Sequence, residues 1–274
     1  MKVLIKGAGD LATGIAYRLY QAGYDVLMTD IPVPTTVRRN VAYSRVVYEK
    51  EAVIEGVKGV LVQTIEEVNK AHTEGVIPVI VDEKAAIRDV YKPEVIVDAI
   101  IAKENLGTTV EEAPLVIGVG PGFVAGKDCH AVIETMRGHY LGKVIREGSA
   151  IPNTGVPGNI GGFTTERIIR ASADGEFQPI AGIGDLVEKD QIVAKSGGQP
   201  IYALMSGIVR GMLQTGIKVK KGMKCGDIDA RCERNHCFTI SDKARSIGGG
   251  VLEAIVGYEH GKPKMSLESE KEYE

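Results

Sequence analysis

Gly7, Gly9 and Ala12, in "GAGDLA", stand at the spacing G-x-G-x-x-A, which can seat a phosphate against bare backbone. Gly7 permits a tight turn, Gly9 lets the main chain approach a pyrophosphate, and the small Ala12 lets a helix lie close to a sheet. The residues around them supply the rest of that geometry. "VLI" precedes the glycines, and Leu11, Ile15, Ala16, Leu19 and Tyr20 recur at helical spacing after them. The pattern predicts strand, turn, helix, with the amides around Asp10 and Leu11 facing an anion at the helix start. A second short strand, "GYDVLMTD", ends at Asp30, where a carboxylate would accept from a ribose hydroxyl. Asp30 favours NAD over NADP, because like charges about 4 Å apart cost about 4 kcal/mol at an effective dielectric near 20. Arg38 and Arg39 pull the other way, since paired arginines suit a terminal phosphate; a solvated basic pair is the alternative.

A second set of reactive types lies in "PGFVAGKDCHAVIETMRGHYLGKVI". Cys129, His130 and His139 are its catalytic candidates: a thiol and two imidazoles, with Asp128, Glu134 and Arg137 close by. "AVIET" reads as a strand, and adjacent residues on a strand point to opposite faces, which argues against Cys129 and His130 acting as a nucleophile and its base. His139, in "RGHYLG", is expected in a hairpin turn. Near the end, "CERNHC" places Cys232, His236 and Cys237 together, but the spacing is irregular for zinc, and buried thiols are the preferred reading. No metal site is expected.

The elements that would position these groups follow from Val/Ile-rich runs at 59–63, 76–82, 93–100 and 114–120, with a polar-faced helix at 64–75. Near-continuous apolar runs suit parallel strands covered on both faces. The ligand crevice is therefore expected at their carboxyl ends, where Gly7–Ala12, Asp30, Asp98 and "GVGPGF" (with Gly118, Gly120 and Gly122) would meet; Asp98 could equally cap the segment after it. Beyond residue 176, "GDLVEKDQIV" (184–193) and "GIKVKKGMKC" (216–225) repeat at a 32-residue offset, implying a pseudo-symmetric β structure. Ser241 is read as the N-cap of a last helix through "VLEAIVG". Its glycines, Gly248 to Gly250, mark a break or a close backbone approach.

The chain has 274 residues, 44% of them hydrophobic, and a formal charge of −3, so a sizeable core is available and no global field draws nucleic acid or an anionic membrane. No apolar run reaches the roughly 20 residues of a membrane span and no leader is evident, which makes the cytoplasm the expected compartment. Four cysteines without a secretory signal suggest reduced thiols. The expected organisation is a nucleotide-binding unit at 1–125, a connecting region at 126–176, a β module at 177–230, a strand and helix segment at 231–260 and a polar tail at 261–274.

Taken together, "GAGDLATGIAYRLYQAGYDVLMTDIP", "RRNVAYS", "VIGVGPGFVAG", "HAVIETMRGHYLGKVI", "NTGVPGNIGG" and "TISDKARSIGGGVLEAI" resemble the YqeB family of selenium-dependent molybdenum hydroxylase system proteins. "GDIDARCE" departs from the Asp-Pro-Arg sequence expected there. The resemblance implies a Rossmann domain similar to that of XdhC-type maturation factors and a selenium-dependent molybdenum hydroxylase as partner. The β module resembles the barrel-sandwich hybrid of lipoyl and biotinyl carriers. Its tip reads "SGGQP" without a lysine, so no covalent lipoyl or biotin is expected. The fold expected is thus α/β: a doubly wound Rossmann-like parallel sheet plus a smaller barrel-sandwich-hybrid domain. The function expected is a maturation factor binding NAD, the molybdenum cofactor or another phosphorylated small molecule through Gly7, Gly9, Asp10, Leu11, Ala12, Asp30, Arg38, Gly118, Gly120 and Gly122. Alternatives are an NAD-dependent oxidoreductase using His130 or His139, and a non-catalytic assembly scaffold; a homo-oligomer stays open.

Overall fold

The computed structural model describes residues 1–155 and 158–261. Val156 and Pro157, within "NTGVPGNIGG", and residues 262–274 of the expected tail lie outside the described residues.

The first strand, β1 (Lys2–Lys6), is followed by α1 (Asp10–Gln21), β2 (Asp25–Asp30), the four-residue α2 (Val46–Glu49), β3 (Glu51–Ile54), β4 (Val57–Val62), α3 (Ile65–Thr73), β5 (Ile77–Val81), the short α4 (Arg88–Tyr91), β6 (Val95–Asp98), β7 (Leu115–Val119), β8 (Ala131–Ile133) and β9 (Val144–Ile145). These strands form one sheet in the order β3-β4-β5-β2-β1-β6-β7-β8-β9. The pairs from β4 through to β8 are parallel, and the outer pairs β3–β4 and β8–β9 are antiparallel. Continuous apolar sequence makes the central strands buried on both faces: Val3, Leu4 and Ile5 of β1 are each fully covered.

The remaining strands are β10 (Ile168–Arg170), β11 (Gly175–Pro179), β12 (Leu186–Val187), β13 (Ile192–Ser196), β14 (Gln199–Tyr202), β15 (Gly207–Met212), β16 (Lys218–Val219) and β17 (Lys224–Asp229). They make two four-stranded antiparallel sheets, ordered β10-β17-β15-β12 and β14-β13-β11-β16, around their own core, which includes Phe177, Val193 and Met212. Each copy of the sequence repeat begins in one sheet and ends in the other, β12 to β13 in the first and β16 to β17 in the second. Gly197 and Gly198, both at positive φ, turn the β13–β14 hairpin.

The expected fold class is corrected by this topology. A doubly wound sheet needs a covering helix for each parallel crossover. Here β6 reaches β7 through a loop with a single three-residue 3₁₀ turn at Val110–Glu112, and β7 reaches β8 with no helix. The result is a nine-stranded mixed sheet with antiparallel edges. In place of a barrel-sandwich hybrid domain stand the two antiparallel sheets, joined to the mixed sheet by the strap at 31–45. In that strap Val37 O accepts from Met212 N, Ser44 N donates to Ala8 O and Tyr43 N donates to Thr13 Oγ1.

Helix α5 (Asp242–Glu259) closes the molecule, and Ser241 Oγ caps it by accepting from Ala244 N at 3.2 Å, as its sequence predicts. Gly248 and Gly250 mark close approach rather than a break, and Gly249 faces open space. A Cβ on Gly248 would stand 2.8 Å from Gly14 O of α1, and one on Gly14 would stand 2.6 Å from Ala244 Cβ. The two helices therefore meet backbone to backbone over the sheet, sharing its core with Ile15, Leu19, Ile247 and Val251.

Candidate functional site

A crevice of about 690 Å³ opens at the carboxyl ends of β1, β2, β5 and β6. That size falls within the roughly 300–1,000 Å³ of small-molecule sites. Its floor is the Gly7–Gly9 turn, with Thr35 and Thr36 of the strap on one side and Leu106, Gly107 and Thr108 on the other. Gly7, at φ +93°, brings the turn against the chain after β6: a Cβ there would meet Ala99 O at 3.0 Å.

The charges in the crevice are mostly negative. Asp30, Asp82, Glu83, Asp98 and Glu112 line it against Lys6, Lys84 and Arg88. Lys6, buried at 7% exposure, spends its ammonium inside the wall, donating to Glu112 Oε2 at 2.6 Å and to Thr108 Oγ1 at 2.7 Å. Thr108 in turn donates to Asp98 Oδ2 at 2.6 Å, completing a buried run from Glu112 to Asp98. Arg88 Nη1 donates to Lys84 O at 3.1 Å and lies 3.9 Å from Glu112 Oε1. Asp30 folds back onto the turn, accepting from Ala8 N at 3.2 Å and from Ile31 N at 2.8 Å. Burial raises the Asp30 carboxyl above the usual carboxylate range, against the pull of those two amides. Burial raises Asp98 as well, opposed by Thr108, the Ile100 amide and the charge of Lys6. Asp98 Oδ1 also accepts from Ile100 N at 3.2 Å, so this one side chain both faces the crevice and pins the segment after its strand.

The structure brings Gly7, Gly9, Asp30 and Asp98 together as their spacing suggests, and it sends other expected ligands elsewhere. Asp10, Leu11 and Arg38 line a separate pocket beyond the start of α1. Arg38 Nη2 donates to His236 O at 2.9 Å and Thr239 O at 3.1 Å, and Arg39 Nε donates to Met212 O at 3.2 Å. The arginine pair thus faces away from the crevice. Ala12 is fully buried in the core against the sheet. Gly118, Gly120 and Gly122 serve packing: a Cβ on each would collide with the Phe123 ring, Thr135 and the Glu104 backbone. Sequence reasoning missed Lys6, Thr108 and Glu112. Lys6 is the one charged residue between the apolar run of β1 and the glycines, and that position was its only signal.

Cys129 is fully buried, and burial pushes its thiol up to about 11. His130 Nδ1 accepts from Val116 N at 3.0 Å, which fixes its tautomer with the proton on Nε2. His139 is exposed between β8 and β9, its ring edge-on to Tyr140 with centroids 4.9 Å apart. None of the three lines the crevice. Cys225 and Cys237 are buried too, whereas Cys232 is exposed. A thiol titration of the folded protein at pH 7 with an aromatic disulfide reagent should therefore label Cys232 alone within minutes, with the other three released only by denaturant. Equally fast reaction of Cys129 would contradict its burial. Among the described residues, no group of three or more His, Cys, Asp or Glu is placed to hold a metal ion, and no helix is long and apolar enough to cross a membrane.

Fold and crevice together define a mixed α/β protein with an acid-lined crevice at its strand ends. Over 266 residues, 97% of its length, the chain is 49% identical to the uncharacterized protein YqeB of Escherichia coli (strain K12), an identity that supports the YqeB family. The chain spans 49% of that relative's length. No protein-family profile matches. Among solved structures it is similar to an aspartoacylase family protein of Mesorhizobium loti, at 12% identity and a TM-score of 0.25, covering 77% of this chain and 58% of that one. A succinylglutamate desuccinylase of a Silicibacter species gives 10% identity and a TM-score of 0.25 over 83% and 84% of the two chains. The ectoine utilization protein EutE (DoeB) of Ruegeria pomeroyi gives 10% and 0.24 over 83% and 87%. At such TM-scores neither fold nor activity transfers.

The expected function is corrected. The correction is carried by the crevice itself. A maturation factor seating a nucleotide or molybdenum-cofactor phosphate there would need free amides and positive charge. Gly7 N donates instead to Thr29 O, Ala8 N donates to Asp30, and five carboxylates face three cations. An NAD-dependent oxidoreductase would need an acid or base at the ligand, and neither His130 nor His139 lines the crevice.

Proposed function

We propose that this chain binds a small molecule bearing hydroxyl or ammonium groups in the acidic crevice, with Asp30 and Asp98 as the acceptors that select it. The observation that carries this reading is the position of those two carboxyls. Both line the crevice, and burial raises both above their ordinary range. A buried carboxylate is costly until donors reach it, so a ligand that brings hydroxyl or ammonium hydrogens relieves a penalty already built into the fold. Ile31, Ile100 and Leu106 give the same space an apolar rim, as a site that grips a small organic body requires.

Isothermal titration of the full chain against polyols, ribosides and primary amines, with NAD as the phosphorylated comparison, tests the reading. The expected result is measurable binding of an uncharged or cationic compound, weakened about tenfold or more by Asp30→Asn, the scale of a lost hydrogen bond to a charged group. For an ammonium ligand the sign in pH is fixed. The ligand favours the ionised carboxylates, so affinity rises as pH rises through their raised pKa values, with protons released on binding. Binding of NAD alone, with Asp30→Asn unaffected, would overturn the proposal.

A further inference from the structure

A second pocket, of about 230 Å³, lies where the start of α1, the antiparallel sheet β10-β17-β15-β12 and the start of α5 meet, and its charge is opposite to that of the crevice. Six cations line it: Arg38, Arg137, Arg167, Arg210, Lys224 and Lys243. Among the described residues only Asp10 and Asp227 line it as carboxylates. Two further carboxylates serve the surrounding cations. Asp242 takes Arg137 at 2.6 and 3.0 Å, and Asp229 takes Arg231 at 2.6 Å while lying 3.8 Å from Arg210 Nη1. Positive charge remains in excess after these pairs are counted.

Three of the guanidinium groups are held away from water, at 5 to 8% exposure for Arg38, Arg167 and Arg210. Arg167 Nη2 is matched by Asp227 at 2.8 Å, yet its Nε is buried without a hydrogen-bond partner among the described residues. The Nε of Arg38 is in the same state, with its carboxylate neighbour Asp10 no closer than 3.5 Å. Buried donors are nearly always satisfied, so these two orphaned Nε groups leave donor capacity unmet in a wall where cations already outnumber carboxylates. Burial, and then the charge of Arg38, bring Arg210 down to about 10; burial, and then Arg137, lower Lys243. The pocket also receives the amino end of α1. Gly9 caps that helix without a side-chain bond, and Asp10 and Leu11 of its first turn line this space.

We propose that this pocket is a binding site for a doubly charged tetrahedral oxyanion, free or as the phosphate end of a small ester, held by Arg38, Arg167, Arg210 and Lys243. The site is independent of the crevice and stands or falls separately from it. Guanidinium forks suit such an anion because their N–H groups match its oxygens in pairs.

The test is thermal unfolding and calorimetry of the full chain with inorganic phosphate, and with glycerol phosphate, against chloride at matched ionic strength. Phosphate should raise the melting temperature in a saturable way that chloride does not reproduce. Lys243→Gln, which removes one charge without removing a buried fork, should weaken binding about tenfold, and Arg38→Lys by at least as much. Equal affinity for the two compounds assigns the site to the free anion, and tighter binding of glycerol phosphate assigns it to an ester; both support the proposal. Shifts identical to those in chloride, or phosphate affinity unchanged in Lys243→Gln, overturn it. Because Arg38 also ties Thr239 and His236, Lys243→Gln decides the matter should Arg38→Lys fail to fold.

Discussion

Replacing Gly250 by alanine should lower the stability of the protein by about 2–3 kcal/mol, the upper part of the range for an overpacked core position. Its added Cβ would land on the Gly142 carbonyl oxygen and stand 3.1 Å from Ile133 Cγ2, so α5 would have to lift from the β8–β9 edge. Alanine is the better helix former by about 1 kcal/mol, and that gain is outweighed because a backbone carbonyl cannot swing aside as a flexible side chain can. For a chain of this size the loss corresponds to a melting temperature lower by roughly 5–10 °C. Gly249 is the internal control. Nothing lies within 4 Å of a Cβ there, so Gly249→Ala should stabilise by up to about 1 kcal/mol. Scanning calorimetry of the two variants should move in opposite directions. Equal shifts would mean that the packing of α5 does not depend on which side of the helix is bare.

Lys6→Met should cost more, about 3–5 kcal/mol, the usual result of removing one partner from a buried ion pair. Glu112, and Asp98 through Thr108, would lose the cation that holds them in the crevice wall. The pH dependence carries a definite sign. Asp98 already has a folded pKa above its unfolded value, and without Lys6 the gap widens. A raised carboxyl favours the folded state below the unfolded pKa and loses that contribution as pH rises through the folded one. The defect in Lys6→Met should therefore shrink as the pH is lowered from neutral, as read from urea midpoints. Adding Glu112→Gln should restore part of the loss, because the stranded charge goes with it.

Much of the sheet was legible because period and composition are local. The runs at 59–63, 76–82, 93–100 and 114–120 became β4, β5, β6 and β7, and the polar-faced stretch from Thr64 became α3 with Thr64 as its cap. What could not be read was where the chain goes between strands. The absence of covering helices around β7, and the antiparallel edges, depend on pairings between segments far apart in sequence. The site divided in the same way. Gly7, Gly9, Asp30 and Asp98 fall together because strand ends bring them there, but the sign of the crevice depends also on Asp82, Glu83 and Glu112, which arrive on other segments. Arg38 looked like a phosphate ligand for that crevice. Its direction is set by the His236 and Thr239 carbonyls, about 200 residues away, which no local pattern reveals.

The backbone contact between α1 and α5 joins segments separated by about 230 positions, and this sets the order of events during synthesis. A ribosome adding roughly 5–20 residues per second emits α1 some ten to fifty seconds before its mate. Through that interval the bare stripe of Gly14 and the apolar flank beside it stay open to chance encounters. The helical cover that α1 and α5 make over the mixed sheet is therefore completed late, and nascent-chain protection by a chaperone has its natural target in that waiting surface.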